Sequence, residues 1–332
     1  MSGRTAEPPR RPGEFELIEK LFAPMAHGAA GAFGLRDDAA VLAPPDGHEF
    51  VLKVDSVIEG VHFRRSDPAQ TVGRKALRRA LSDLAAKGAE PQAWLLALAL
   101  PTWPDMEWLE AFAAGLSADR EEFGIPLVGG ETNATPGPLT ITITAIGNLP
   151  ADTLIRRNGA KPRDGVFVTG TIGDAGAGLS LASAQKPPEA ARDFLVSRYR
   201  VPLPRLAFGR ALRGFASAAI DVSDGLLADL GHIAGESGVR IAVEADRIPL
   251  SDALRQIEGE GVEARVRAAT AGDDYEITFT APGHASLAIE DAARRTGTVI
   301  TRIGRVMAGD GLALLSEAGA EIPVDRTGYT HF

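Results

Sequence analysis

The chain has no cysteine among its 332 residues. That excludes disulfides, thiolate zinc sites and a cysteine nucleophile, and it is compatible with a cytoplasmic location. Histidine is scarce as well, six in all, and no paired metal-ligand histidines stand out, so little is left for a zinc centre. Lys and Arg total 35 against 44 Asp and Glu, a net charge of −9. A chain this short of positive charge is poorly suited to nonspecific nucleic-acid binding. No apolar run approaches the ~20 residues of a membrane span. The opening MSGRTAEPPRRPG lacks an apolar h-region, so it reads as a disordered arm over 1–13 rather than a signal peptide.

What is present suits an ordinary globular protein, 45% hydrophobic and 24% charged. The length suggests two domains, here 14–150 and 151–332, with PADTLIRRNGAKPRD as the link. In the first, EFELIEKLFAP reads as a short amphipathic helix, and AAVLAP and EFVLKVDS as strands. SDPAQTVGRKALRRALSDLAAKGAEP has a capping Ser66 or Asp67, Pro68 for a first turn and Gly88 for an end. Val72, Ala76, Leu77, Ala80, Leu81 and Leu84 make one apolar stripe on that helix. Arg74, Lys75, Arg78 and Arg79 fall largely off it and read as a solvated face. AWLLALALP, IPLVGG and the alternating LTITITAIGNLP are further strands, and DMEWLEAFAAGLSADREEFG is a helix. Strands and helices also alternate in the second half. The fold class expected is α+β: two α/β sandwich-like domains, each a sheet covered by helices.

Acids recur at strand ends and turns: Asp38 beside Asp37, then Asp55, Glu131, Asp221 and Asp224. Asp83 sits near the C-terminal end of the long helix, where the macrodipole disfavours an anion, and is expected to point inward between Leu81 and Leu84. A partly buried carboxylate needs a partner, and oxygen ligands suit a hard cation such as Mg²⁺. Each position also has a bland reading. Asp37 and Asp38 can be a solvated turn, Ser223 or Asp224 a helix cap, LVGGETN a tight turn, and His62 a structural histidine. VTGTIGDAGAGLS follows a strand and opens a helix, so its N–H groups can face an anion or merely pack. It lacks the Lys-Ser/Thr of a P-loop.

In order along the chain, GEFELI, RDDAAV, VDSVIEGVHF, ALSDLAAKGAEP, LVGGET, RNGAKPRD, VTGTIGDAGAGL, IDVSDGLLADL, AGDDYEITF and the final GYTHF form a series. That series resembles the thiamine-monophosphate kinase family of the aminoimidazole ribonucleotide synthetase superfamily. The resemblance implies transfer of the γ-phosphoryl group of ATP, the co-substrate, to thiamine phosphate. It implies several Mg²⁺ ions held by Asp38, Asp55, Asp83, Glu131, Asp221 and Asp224. It also implies ATP contacts from Gly129, Gly130, Arg157 and Ser223, and a thiamine-phosphate site near His62, Asp273 and Tyr329. Asp55, Asp83 and Arg157 are the residues expected to carry catalysis, and the N-terminal domain is expected to pair into a homodimer. The chain departs from the family pattern at Arg36 (usually Gly), Val54 (Thr), Glu131 (Asp), Asp273 (Glu) and Arg326 (often aromatic).

The chemistry fits an acidic chain, because carboxylate-anchored cations can screen two polyanionic reactants. An acceptor phosphate has a second pKa of about 6, so its oxygen is largely deprotonated near neutrality and needs no side-chain base. The rival readings are another ATP-dependent enzyme of the superfamily, a metal-dependent phosphohydrolase, and a non-catalytic nucleotide-binding regulator. A selenophosphate synthetase is disfavoured by the missing cysteine.

Overall fold

The alternating Thr and Ile of LTITITAIGNLP put one set of side chains inward and the other outward, and this segment becomes an inner strand. In the computed structural model, which describes residues 13–182 and 189–330, it is β4 (Thr140–Pro150) of a four-stranded sheet. The others are β1 (His48–Ile58), β2 (Glu90–Leu100) and β3 (Leu127–Ala134), in the order β1-β4-β2-β3. Except for Gly13, the arm expected over 1–13 lies outside the described residues. Two units organise the chain. The first comprises the described part of Met1–Pro44 together with Leu52–Ala80 and Pro91–Ile146. The second comprises Pro45–Val51, Leu81–Glu90 and Gly147–Phe332.

In the first unit, α1 (Glu14–Leu17) widens into a π turn over Ile18–Phe22 and tightens into a 3-10 turn over Ala23–Ala26. AAVLAP is not a strand. It has no regular secondary structure; its Val41 N–H is bonded to the Gly31 carbonyl, and Ala40 and Leu42 pack with Ala26, Ala32, Ala93 and Val128. Two long helices follow β1 and β2: α2 (Ala69–Ala86) and α3 (Met106–Phe123). Asp105 caps α3 by accepting the Trp108 N–H, and Gly124 ends it in the left-handed region.

The apolar stripe of α2 is buried as expected, but its charged face is not solvated. Lys75, Arg78 and Arg79 are buried and Arg74 is half-buried. Helix α3 supplies the missing counter-charge: Arg78 donates twice to the buried Asp119 carboxylate, each bond 2.8 Å, and Arg74 Nε adds a third at 2.8 Å. The Arg78 guanidinium also lies 4.9 Å from the Phe123 ring. Periodicity alone could not find these partners, because they lie some forty residues away along the chain.

A six-stranded sheet of order β10-β7-β9-β5-β8-β6 builds the second unit. Its strands are β5 (Gly165–Thr169), β6 (Ala218–Asp221), β7 (Arg240–Glu244), β8 (Ile277–Ala281), β9 (Ile300–Met307) and β10 (Gly311–Leu315). β10 and β7 are parallel, and the remaining pairs are antiparallel. Successive residues of β5 serve different cores. Val166 and Val168 join Leu226, Leu230 and Ile233, whereas Phe167 joins Phe208, Phe279 and Ile289. The surrounding helices are α4 (Asp174–Leu181), α5 (Ala190–Arg200), α6 (Leu206–Ala211), α7 (Leu226–Ser237), α8 (Asp252–Glu258), α9 (Val262–Thr270) and α10 (Ser286–Thr296). The α+β class, two sheets each with helices, is as expected.

Replacing Arg78 by Met strands the Asp119 carboxylate with Arg74 alone. Urea denaturation is expected to show a loss of about 3–5 kcal/mol, the usual cost of breaking a buried ion pair from one side. Arg74→Met, at the half-exposed end, is expected to cost clearly less; equal losses would contradict this account of α2.

Candidate active site

Each unit gathers part of the expected site. In the first, a pocket of about 400 Å³ is lined by Asp37, Asp38, Gly129, Gly130, Glu131 and Thr132, with an apolar floor that includes Phe22 and Leu95. LVGGETN is a strand, not a tight turn: β3 runs parallel to β2, with Leu96 opposite Gly130 and Ala97 opposite Glu131. A Cβ on Gly130 would stand 1.9 Å from the Leu96 carbonyl oxygen. Only glycine lets the strands approach this closely, and the exposed Glu131 is placed immediately after that contact. Asp38 is exposed, and its N–H is held by the Asp37 carboxylate at 2.8 Å.

Asp55, on β1, has a cationic neighbour that the sequence reading missed. Arg79 Nε lies 3.4 Å from its Oδ2. His62 follows in the turn after β1, and its Nδ1 accepts the Ile58 N–H at 3.1 Å. That bond sets the ring in the tautomer with its proton on Nε2, so His62 has a structural role whatever else it does.

In the second unit, three sequence motifs meet at one turn. Asp221 ends β6, and Val222, Ser223 and Asp224 lead into α7. From AGDDYEITF, the Asp273 N–H donates to the Ser223 carbonyl and the Tyr275 N–H to the Val222 carbonyl, both at 2.8 Å. From the C-terminal motif, the Tyr329 N–H donates to the Asp224 carbonyl at 2.9 Å. A Cβ on Gly328 would come within 2.4 Å of that same carbonyl oxygen, which explains the glycine of GYTHF. The last two residues of that motif lie outside the described residues. Asp273 and Tyr275 both have positive φ, 69° and 52°, and the Tyr275 hydroxyl donates to Asp273 Oδ1 at 2.8 Å. Left-handed backbone at a bulky residue such as tyrosine is strained and marks a constrained segment.

Neither Ser223 nor Asp224 caps α7. Its N-cap is Gly225, without a side-chain bond. Instead Asp229, in the first turn of α7, accepts the Ser223 and Asp224 N–H groups. Burial first, then the charges of Asp221 and Asp224, push the Asp229 carboxyl up to about 8. Asp224, Asp229 and His232 each bring a donor atom within 4.8 Å of the other two. Asp229 and His232 were missed in the sequence. Asp229 carried one signal, a lone acid among Leu226, Leu227 and Leu230 at helical spacing. Asp83 is half-buried in the last turn of α2, and Arg157 is exposed, its carbonyl accepting the Ser237 hydroxyl.

The N–H groups of the glycine turn before α4 already have an acceptor. The fully buried Asp274 carboxylate accepts the Gly173 N–H at 2.7 Å and the Ala175 N–H at 3.2 Å, so VTGTIGDAGAGLS serves packing there.

Comparison with known proteins is consistent along the chain. Residues 36–149 match the model for the AIR synthase related protein N-terminal domain, and 161–316 the one for its C-terminal domain. A thiamine-monophosphate kinase of Caulobacter vibrioides is 42% identical over 323 residues, covering 96% of this chain and 91% of its own. One of Escherichia coli K12 is 39% identical over 327 residues, covering 96% and 98%. The chain belongs to the thiamine-monophosphate kinase family. Its members are enzymes, and this protein is one of them. The crystal structure of the family member from Stenotrophomonas maltophilia superposes with a TM-score of 0.79 at 40% identity, covering 86% of this chain and 90% of that one. The structure of AaThiL complexed with AMPPCP and TMP gives a TM-score of 0.76 at 31% identity, covering 96% and 97%. Escherichia coli HypE, at 20% identity and a TM-score of 0.76, shares the fold.

The buried acids give the protein a defined pH response. Burial above all holds the Asp274 and Asp174 carboxyls above their ordinary 3.8. The folded chain then keeps protons that the unfolded chain releases above that value. Their stabilising contribution is full below pH 3.8 and drains away as pH rises through the raised folded-state values. Asp274→Asn is expected to flatten the fall in unfolding free energy measured from about pH 4 upward. An unchanged slope would show that Asp274 is ionised throughout.

Proposed function

We propose that this protein transfers the γ-phosphoryl group of ATP to thiamine phosphate, forming thiamine diphosphate in a Mg²⁺-dependent, in-line reaction. The observation that carries the reading is the joining of IDVSDG, AGDDYE and GYT by backbone hydrogen bonds at Ser223–Asp224. Residues expected to face nucleotide and residues expected to face thiamine phosphate are thereby held by one turn. Near full-length identity to thiamine-monophosphate kinases supports the same assignment.

The residues fit a hard divalent cation. Thiolates are absent, oxygen donors dominate, and the carboxyl of Asp229, raised first by burial, is raised further by the charges of Asp221 and Asp224 beside it. Asp38, Asp55 and Glu131 of the first unit, and Asp83, Asp221 and Asp224 of the second, are the proposed ligands. When bound, Mg²⁺ supplies charge neutralisation on the phosphates. Gly129, Gly130, Ser223 and Arg157 are assigned to ATP, with the Arg157 guanidinium as a donor to a phosphoryl oxygen. His62, Asp273 and Tyr329 are assigned to thiamine phosphate. Asp273 is a methylene shorter than the family's usual Glu, and its bond from Tyr275 fixes where that shorter carboxylate stands. With the acceptor oxygen already deprotonated, no residue is assigned as a base.

A homodimer belongs to the same proposal. Leu52 and Val54 stand 68% and 59% exposed on one face of β1, an outer strand of its sheet. Two large apolar side chains presented this way suit a second copy of the chain.

The deciding assay is ADP release from ATP and Mg²⁺. Release only when thiamine phosphate is added is expected; release without it would indicate a phosphohydrolase, and nucleotide binding without release a regulator. Asp55→Asn and Asp83→Asn are each expected to reduce turnover at least ~100-fold, as loss of an essential metal carboxylate does, with circular dichroism unchanged. Wild-type kinetics in both would remove them from the site. Arg79→Met is expected to lower the Mg²⁺ concentration giving half-maximal rate, because the cation beside Asp55 competes for the same carboxylate.

A further inference from the structure

The backbone of the Ser223–Asp224 turn is engaged on every side. Its two N–H groups donate to Asp229 Oδ2 at 3.0 and 3.1 Å. Its two carbonyls accept the Asp273 and Tyr329 N–H groups. What the turn has left to present is the Ser223 hydroxyl and the Asp224 carboxylate, both on half-buried residues. Two other segments, AGDDYE and GYT, join it backbone to backbone. Among the described residues Asp229 holds the turn through its side chain, so its role can be tested without rerouting the chain.

Asp229 is a costly choice for filling space. It is 1% exposed, it stands among Leu226, Leu227 and Leu230, and two further acids lie close by. An apolar side chain would pack there without that electrostatic penalty, but it would leave two N–H groups without an acceptor. A single oxygen receiving two successive N–H groups fixes the orientation of both peptide planes.

We infer that Asp229 is a positioning residue of the phosphoryl-transfer site: its carboxylate sets the peptide planes of Ser223 and Asp224, and so aims their side chains at the nucleotide and its cation. It touches neither reactant. The inference rests on the proposed function for what Ser223 and Asp224 meet, although the hydrogen bonds themselves do not depend on it.

The experiment compares Asp229→Ala, Asp229→Ser and Asp229→Asn. Kinetics give kcat, the KM for ATP and the Mg²⁺ concentration at half-maximal rate. Calorimetry gives Mn²⁺ affinity in the presence of a non-hydrolysable ATP analogue. Loss of an outer partner of a metal ligand typically weakens metal binding about 10–100-fold. That weakening is expected in the Ala variant for Mn²⁺ and for the Mg²⁺ requirement. The Ser variant, too short to reach both N–H groups, is expected to behave likewise and serves if Ala does not fold. Asn keeps a planar acceptor and is expected to restore binding to within about threefold. Two results would overturn the inference. One is a lowered melting temperature with Mg²⁺ requirement and KM unchanged in Ala and Ser, which makes Asp229 purely structural. The other is an Asn variant as defective as Ala, which makes the charge itself a ligand. A wild-type protein without kinase activity would refute the proposed function instead, and the Mn²⁺ titrations would still decide the part played by Asp229.

Discussion

Negative charge kept from water has to be met by something, and the answer recurs through this protein. Asp119 is met by Arg78 and Arg74 and Glu276 by Arg198 and Arg205, whereas Asp274 and Asp229, whose carboxyls burial pushes toward the protonated form, each accept two N–H groups, at the start of α4 and in the turn before α7. In each case a buried acid joins segments distant in sequence or locks a turn. Without such partners each carboxylate would cost several kcal/mol, a large part of a typical domain's stability. The two kinds of partner have different uses. Guanidinium groups tie helices and strands together. Backbone N–H groups tie down loops, and the loop tied by Asp229 carries the residues assigned to chemistry.

The acids at the candidate site differ in kind from these. Asp38 and Glu131 are exposed, Asp55, Asp83 and Asp224 are half-buried, and only Asp221 is buried. Solvent still reaches most of them, so an incoming cation can reach them too. For Glu131 and Asp224 the backbone does the placing: the glycine contact of β3 before Glu131, and the three-segment turn around Asp224. This arrangement suits groups that must be charged and accessible yet must not wander.

The fold was readable where pattern is local. The stripe of α2 and the alternation of β4 specify burial within a few residues, and both came out as expected. AAVLAP misled because a short apolar run can pack beside a sheet as well as within it. The glycines of LVGGET misled in the other direction. They punctuate sequences as turns, but here they serve a close strand contact, visible only once β2 is alongside. The candidate site could be proposed only through resemblance to a family, since carboxylates spread from Asp38 to Asp224 have no spacing rule to connect them. The helpers were the unreadable part: Arg79 looked like surface charge, and Asp229 drew no notice, until their partners were in place.

Tyr275 and Asp273 both sit in left-handed backbone, with a phenol-to-carboxylate bond between them and strand β8 beginning just beyond. A segment held this way has few other shapes available at low energy. The recognition of thiamine phosphate proposed for it would therefore be moulded in advance, with little ordering left to be done on arrival. Evolution working on this loop has correspondingly little freedom to swing the carboxylate toward a differently shaped acceptor. Lengthening or shortening the side chain at 273 is the adjustment the backbone leaves open.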